Sequence, residues 1–309
     1  MFDGLLVLSR FALYVGLMVA FGVPVFVLQV MGVNTLATPV VRRAMRVAGA
    51  ATLVGLLASM TALWAMAQAM SATSEPGAVW SVVRTLLTQT TVGITWDLRV
   101  TALVVCLLVL GIATGIQARI RAVVLSVMGA VALATLAWAG HGAMNDGAVG
   151  WLHLTADMAH LLVAGAWVGA LVSLALIARS ASRHAGREAV ELLSRAATGF
   201  ARMGTLIVAV LITSGMVNYT LIVGPTLSGL VDSPYGRLLL TKLGLFATML
   251  ALAAANRFRL APALEKGVRD EDVASAVSAL KRSLYFETSL VISILGLVAW
   301  LGTLNPGGG

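Results

Sequence analysis

The chain has few of the charged residues that cover the surface of a soluble protein. Only 13 residues are acidic, and charged residues make up 11% of the 309 residues, whereas hydrophobic residues make up 59%. The mean hydropathy is +0.95. This composition lies outside the range of soluble domains, so the sequence predicts an integral membrane protein.

Cysteine is almost absent. The one cysteine, Cys106, lies inside an apolar stretch, which excludes an internal disulfide and argues against a metal motif of paired cysteines. The sequence also lacks a Walker loop and a phosphorylation signature, so transport would have to depend on an ion gradient, the membrane potential or exchange. We do not expect an enzyme.

Long apolar stretches are plentiful. A hydrocarbon core about 30 Å thick needs roughly 20 apolar residues per helix. Stretches of this kind lie near 5–30, 47–70, 100–117, 122–139, 152–177, 203–223, 238–256 and 285–303. They lack the alternation of barrel strands, so the predicted fold class is all-α, a polytopic bundle of about eight transmembrane helices. The first stretch is too long for a signal-peptide core, and we expect it to be retained.

The net charge of +8 is unevenly distributed, and its position argues against nucleic-acid binding. Most basic residues lie in four alternate connections: 42–46, 119–121, 179–202 and 257–282. The positive-inside rule places these four connections in the cytoplasm. Both termini and the remaining connections are therefore predicted to face the outside. No linker divides the chain, so we expect a single membrane domain, residues 1–309.

A weak internal repeat joins the two halves of the chain. The segment "TTVGITWDLR", residues 90–99, aligns with "SPYGRLLLTK", residues 233–242, and this alignment pairs Arg99 with Lys242. Four helices in each half would give both halves the same orientation, related by an axis along the membrane normal. The predicted half-repeats are 1–145 and 146–309.

Three of the four histidines lie in one stretch, "GHGAMNDGAVGWLHLTADMAH", residues 140–160. His153, Asp157 and His160 are spaced i, i+4 and i+7, so they share one face of a helix. His160 would lie about 10 Å deeper in the membrane than His153. Each ionisable group there costs a few kcal/mol unless it is paired or hydrated, so this polar stripe needs a compensating partner.

A metal ion would compensate the stripe directly. Imidazole and carboxylate groups bind divalent first-row metals, and the thioether of Met144 suits Cu(I). The predicted metal site consists of His141, Met144, His153, Asp157 and His160, with copper as Cu(I) or Cu(II). Asp157 has a second interpretation, as the acceptor that orients a histidine ligand. Two alternatives for the whole cluster are haem b between His141 and one of the helical histidines, and a proton relay.

Further residues are candidates for a pathway or a gate. Met66 and Met70, spaced i, i+4, either join a copper path or fill the core. Asn218, one turn after Ser214, either forms an interhelical hydrogen bond or lines the route, and Asn256 is a further polar residue deeper in the bundle. Lys242 either extends outward to the membrane surface or holds an anionic partner and gates the pathway. Arg99 is its counterpart in the first half.

Several segments together resemble a known family. They are "HLTADMAHLLVAGAWVGAL" (153–171), "SGMVN" (214–218), "SPYGRLLLTKLGLFATMLALAAANRFRL" (233–260) and, more weakly, "TTVGITWDLR". The chain resembles the CopD-type copper-resistance and copper-homeostasis membrane proteins. The resemblance implies an inner-membrane protein of about eight helices that handles copper, with a separate periplasmic carrier of the CopC type as partner. His153 and His160 fall in the family's most recognisable segment.

These observations favour copper binding and transport across the bacterial inner membrane, from the periplasm to the cytoplasm. The His/Asp site would lie at the periplasmic end of the fourth and fifth helices. Two alternatives remain open: a haem b-binding redox protein, and a copper-delivery scaffold that moves no ion. The expected partners are the copper ion and the lipid bilayer.

Overall fold

The structure is a computed structural model that describes most of the chain. The described residues are 2–30, 38–71, 75–112, 117–139, 147–184, 187–224, 233–270 and 274–304. Within these ranges every regular element is a helix. The predicted all-α fold class is therefore confirmed.

The helices follow one another through short connections. Their bounds are α1 Phe2–Val30, α2 Pro39–Ser71, α3 Pro76–Gln89, α4 Thr91–Gly111, α5 Ala118–Ala134, α6 Gly147–His184, α7 Arg187–Ile222, α8 Pro234–Ala255, α9 Ala261–Asp270 and α10 Ala274–Leu301. A 3-10 helix, Thr135–Ala139, extends α5, and a π-helical turn, Asn256–Leu260, joins α8 to α9.

Eight helical stretches in the described ranges are long and apolar enough to cross a membrane. They coincide with the eight predicted segments, but several helices begin earlier than predicted. The segment predicted at 203–223 belongs to α7, which starts at Arg187, and the segment at 285–303 belongs to α10, which starts at Ala274. Hydropathy marks only the lipid-embedded part, whereas a helix continues while its backbone hydrogen bonds do.

The first helix lies at the centre of the bundle. It packs against α2, α5, α6 and α10, and 67% of its spanning stretch is buried. In contrast, only 6% of the stretch that includes α8 is buried, so this helix lies at the periphery. Polar side chains that α8 directs inward are therefore exceptions on a helix that mostly faces lipid.

Glycines bring α1 and α6 into backbone contact. A Cβ atom on Gly22 would clash with the carbonyl oxygen of Gly165, and a Cβ atom on Gly169 would clash with the carbonyl carbon of Gly22. Small residues permit such close crossings between membrane helices. This contact fixes α6, and therefore its polar stripe, against the centre of the bundle.

The helix starts follow the spacing of the predicted repeat. Thr91 and Pro234, the first residues of α4 and α8, are 143 residues apart, as are the preceding N-cap residues Thr90 and Ser233. Ser233 caps its helix by accepting a 2.9 Å hydrogen bond from the backbone N–H of Gly236. The division into half-repeats 1–145 and 146–309 stays a prediction.

Candidate metal site

The polar stripe lies on α6, which is a continuous helix from Gly147 to His184. His153 is buried, with 1% of its surface exposed, whereas Asp157 and His160 are half-buried. Because the helix is unbroken, the spacing of the three residues places them along one face. Their surroundings decide which of them can meet an ion.

The next helix supplies hydrogen-bond partners to the deeper two residues. The amide nitrogen Nδ2 of Asn218 donates to Oδ1 of Asp157 at 3.1 Å, and Nδ1 of His160 lies 3.0 Å from Oγ of Ser214. Asn218 and Ser214 are one turn apart on α7. Asn218 therefore makes the interhelical hydrogen bond that its position predicted.

The hydroxyl of Ser214 determines the tautomer of His160. Oγ of Ser214 donates to the carbonyl oxygen of Val210 at 2.5 Å. A hydroxyl has one hydrogen to donate, so Ser214 accepts from His160, and the imidazole carries its hydrogen on Nδ1. The lone pair then lies on Nε2, and a neutral imidazole oriented by a hydrogen bond on its other nitrogen is the usual form of a metal ligand.

Lys242 extends from α8 towards the same two residues. Its ammonium group interacts electrostatically with the carboxylate of Asp157 and with His160. Lys242 is half-buried. A nearby positive charge would offset part of the cost of a carboxylate in the membrane, and the gating role of Lys242 remains a prediction.

A further hydrogen-bond acceptor, on Asn218, lies beside the carboxylate of Asp157. Oδ1 of Asn218 is buried and has no hydrogen-bond partner among the described residues. A buried acceptor without a partner is costly, and a cation or a water molecule would remove that cost. Asp157, His160 and Asn218 together present carboxylate oxygen, imidazole nitrogen and amide oxygen.

The structure does not gather the whole predicted metal set. His141 and Met144 lie outside the described residues. Among the described residues, no three His, Cys, Asp or Glu side chains form a group that could hold a metal ion. His153 lies roughly 10 Å along the helix from His160, whereas two donors to one ion are about 4 Å apart. The five-residue site remains a prediction, with Asp157 and His160 as its neighbouring members.

Arg99, the counterpart of Lys242 in the repeat, is also directed inward. It is buried, and its Nε donates to Oγ1 of Thr135 at 2.8 Å. Tyr14 lies close enough to both Arg99 and Asp157 for their charges to act on its phenol group.

The two candidate methionines have different surroundings. Met66 packs against a small apolar cluster between α2 and α3 that includes Leu63, Ala67 and Val83. Met70 is 63% exposed near the end of α2. The contacts of Met66 match its interpretation as core filler, and the copper path through either residue stays a prediction.

Sequence reasoning missed a buried carboxyl group, that of Glu287. This residue is 2% exposed and accepts a hydrogen bond from Nδ2 of Asn256. Asn256 therefore forms an interhelical hydrogen bond. The sequence signal that could have revealed Glu287 was a single acidic residue in the apolar stretch "LYFETSLVISIL". Because the predicted segment began at residue 285, Glu287 resembled a boundary residue, whereas α10 begins eleven residues earlier.

Comparisons with known proteins identify the family. Residues 1–151 match the family model described as "Copper resistance protein D-like, N-terminal domain", and residues 194–301 match that described as "Copper resistance protein D". Copper resistance protein D of Pseudomonas syringae pv. tomato is 42% identical over 309 residues, which cover 98% of this chain and 97% of that protein.

A second relative matches over a shorter length. Inner membrane protein YebZ of Escherichia coli (strain K12) is 31% identical over 173 residues, or 55% of each chain. No solved structure matches the chain significantly. Since the first relative matches over nearly the full length of both chains, this multi-pass inner-membrane protein belongs to the copper resistance protein D family and has a copper-related function.

Proposed function

We propose that the protein carries copper from the periplasm to the cytoplasm and binds it in the membrane at Asp157 and His160. The observation that carries this proposal is the convergence of a carboxylate, an imidazole and an ammonium group from two helices. A transported cation can take the place of the ammonium group, whereas a purely structural ion pair needs no oriented imidazole beside it. Asn218 supplies the third donor.

Lys242 gives the site a balanced charge in both of its states. Without copper, the ammonium group compensates the carboxylate of Asp157. An arriving copper ion takes over that role and displaces the ammonium group, which later competes with the ion and promotes its release. A site for a transported ion must bind and release it, so an internal competitor suits transport without nucleotide hydrolysis.

The donors at the described part of the site are nitrogen and oxygen. Imidazole and carboxylate ligands suit Cu(II), whereas thioether sulfur selects Cu(I). In this proposal Asp157 and His160 hold the ion within the membrane, and Met144 would contribute when copper arrives as Cu(I).

Copper would enter from the periplasmic face between α5 and α6. His153 is the first histidine on α6, and His141 belongs to the segment that precedes this helix. The exposed indoles of Trp138 and Trp151 flank this segment, as interfacial anchors do. We propose that a separate carrier of the CopC type delivers copper here, and that His153 receives it before His160.

The proposed direction requires both termini to face the periplasm. Alkaline phosphatase fused after Gly309 is expected to be active, because the basic connections alternate along the chain and hold the opposite ends of the helices in the cytoplasm. The same enzyme fused after His184, in a basic connection, should be inactive. An inactive fusion after Gly309 with an active one after His184 would reverse the topology.

Direct measurement of copper accumulation tests transport. Cells that express the wild type are expected to contain more cytoplasmic copper than cells that express equal amounts of the His153→Ala/His160→Ala variant. The metal content of the cytoplasmic fraction gives the result. Lower copper with the wild type would indicate export, and equal copper would favour the scaffold that moves no ion.

A further inference from the structure

Glu287 lies in the middle of α10, in a membrane-spanning stretch, and its carboxyl group contacts two neutral side chains. Nδ2 of Asn256, the first residue of the π-helical turn after α8, donates a hydrogen bond to its Oε1. The indole of Trp167 on α6 makes a second polar contact that does not meet the geometry of a regular hydrogen bond. A carboxylate buried among neutral groups in a membrane is costly, so its charge needs another form of compensation.

Two arginines on the elements that pack against α10 have other partners. Arg10 on α1 donates to the carbonyl oxygen of Gly302, just after the end of α10, and Arg257 in the π-helical turn donates to Thr205 on α7. Of the other described titratable groups on α1, α6 and α8, Tyr14, Asp157, His160 and Lys242 influence one another at the outer site. His153 and Tyr235 lie within the first two turns of α6 and α8, and Arg179 and Arg237 are exposed.

The remaining charged groups of these elements are at the surface. Arg259 in the π-helical turn and Glu265 and Lys266 on α9 are exposed, as are Arg282 and Tyr285 on α10 itself, and Lys281 is half-buried. The interactions of the Glu287 carboxyl group within the described residues are those with Asn256 and Trp167. Protonation is therefore the simplest way to neutralise the Glu287 carboxyl group.

The partner asparagine has a vacant acceptor that fits this proton. Oδ1 of Asn256 is buried without a hydrogen-bond partner among the described residues, and so is Oγ of Ser283, one turn before Glu287. A neutral carboxylic acid would donate its O–H to Oδ1 while accepting from Nδ2, which gives two parallel hydrogen bonds. A carboxylate has no hydrogen to donate and would leave Oδ1 unsatisfied.

The same pair of side chains occurs at the outer site, with one difference. Asp157 also accepts from the amide nitrogen of an asparagine, and Oδ1 of that residue, Asn218, is likewise unpaired. There, however, the ammonium group of Lys242 compensates the carboxylate. Glu287 thus belongs to the inner of two carboxyl–asparagine pairs, and among the described residues no cationic side chain acts on it.

We propose that Glu287 carries the exchanged proton of the transport cycle. It holds this proton while Lys242 neutralises Asp157, and it releases the proton when copper binds at Asp157 and His160. The carboxyl O–H bond breaks, its electron pair stays on the carboxylate, and the proton passes to water. This inference rests on the proposed function for the identity of the ion that triggers release.

The two sites are close enough for this coupling. Trp167, which contacts Glu287, lies seven residues after His160 on α6, about 10 Å along the helix. A bound ion adds positive charge in a medium of low polarity and stabilises a carboxylate at such a distance.

Infrared spectroscopy of the purified full-length protein without metal tests whether Glu287 holds a proton. The wild type at neutral pH should show the C=O stretching band of a buried carboxylic acid. Glu287→Gln should lose this band, whereas Asp157→Asn should retain it. Asn256→Ala keeps the carboxyl group and should shift the band. A wild type without the band, or a band that persists in Glu287→Gln, would overturn the proposal.

Proteoliposomes test the coupling itself. Copper added at saturating concentration to vesicles that contain a pH indicator should move protons with the wild type, and this movement should fall roughly tenfold or more in Glu287→Gln. Because copper binding and proton release are linked, Glu287→Gln should also bind copper more weakly than the wild type at neutral pH. Proton movement by Glu287→Gln equal to that by the wild type would contradict the proposal. An effect of Glu287→Gln that depends on Na⁺ would also contradict it, because the exchanged ion would then be Na⁺ and not a proton.

The two measurements separate this proposal from the proposed function. If the wild type binds no copper, the proposed function fails, and the infrared band alone still decides whether Glu287 holds a proton. If copper binds and moves but carries no proton in exchange, the coupling role of Glu287 fails and the copper site stands.

Discussion

Protein in which His153 and His160 are both replaced with alanine is expected to lose stoichiometric copper binding. The double substitution removes the two imidazoles of the α6 stripe, including the one whose tautomer Ser214 fixes. Asp157 alone, with Lys242 nearby, would not hold copper against a competing chelator. Metal analysis of the wild type and the variant, purified side by side, gives the copper content per chain.

A third histidine provides the matched control. His184, at the opposite end of α6, lies among basic residues in a predicted cytoplasmic connection. His184→Ala should bind as much copper as the wild type. Unchanged binding by the double variant would exclude this site. An optical spectrum of the same wild-type sample examines the alternative, because a strong visible absorption band would indicate haem b.

Replacing Lys242 with glutamine is expected to raise the affinity for copper by about 10- to 100-fold and to slow its transport. The ammonium group interacts with Asp157 and His160 and competes with an incoming cation. Without it the carboxylate has no cationic partner on α8, so the ion binds more tightly and is released more slowly. Competition with a chelator measures the affinity, and uptake into vesicles measures the rate.

Two controls isolate the charge of Lys242. Lys242→Arg keeps the positive charge and should bind copper with an affinity near that of the wild type. Arg237→Gln removes a positive charge from an exposed position at the start of the same helix and should change the affinity by less than about threefold. Unchanged or weaker binding by Lys242→Gln would show that the ammonium group does not compete with copper.

The sequence predicted the bundle because the signals that determine it are local. Apolar stretches of about 20 residues define the spans, and the spacing of His153, Asp157 and His160 places them on one helical face whatever surrounds that helix. Helix bounds were less accurate, because α7 and α10 extend beyond their apolar parts. This error made Glu287 resemble a boundary residue.

The partners of the stripe could not be predicted because they depend on how helices pack. The contact between Asn218 and Asp157 requires the register of α7 against α6, and the direction of Lys242 depends on where α8 lies in the bundle. Neither is encoded in the periodicity of a single helix. The sequence indicated that the stripe needed compensation and favoured a metal ion. In the structure the charge of Lys242 also acts on Asp157, and we propose that it compensates the carboxylate while copper is absent.

The most direct test of the copper site is X-ray absorption spectroscopy at the copper edge of the loaded protein. The wild type is predicted to show the scattering pattern of imidazole around copper, and His160→Ala should lose that contribution while His184→Ala retains it. Identical spectra for the wild type and His160→Ala would contradict the account, because copper would then bind elsewhere in the protein.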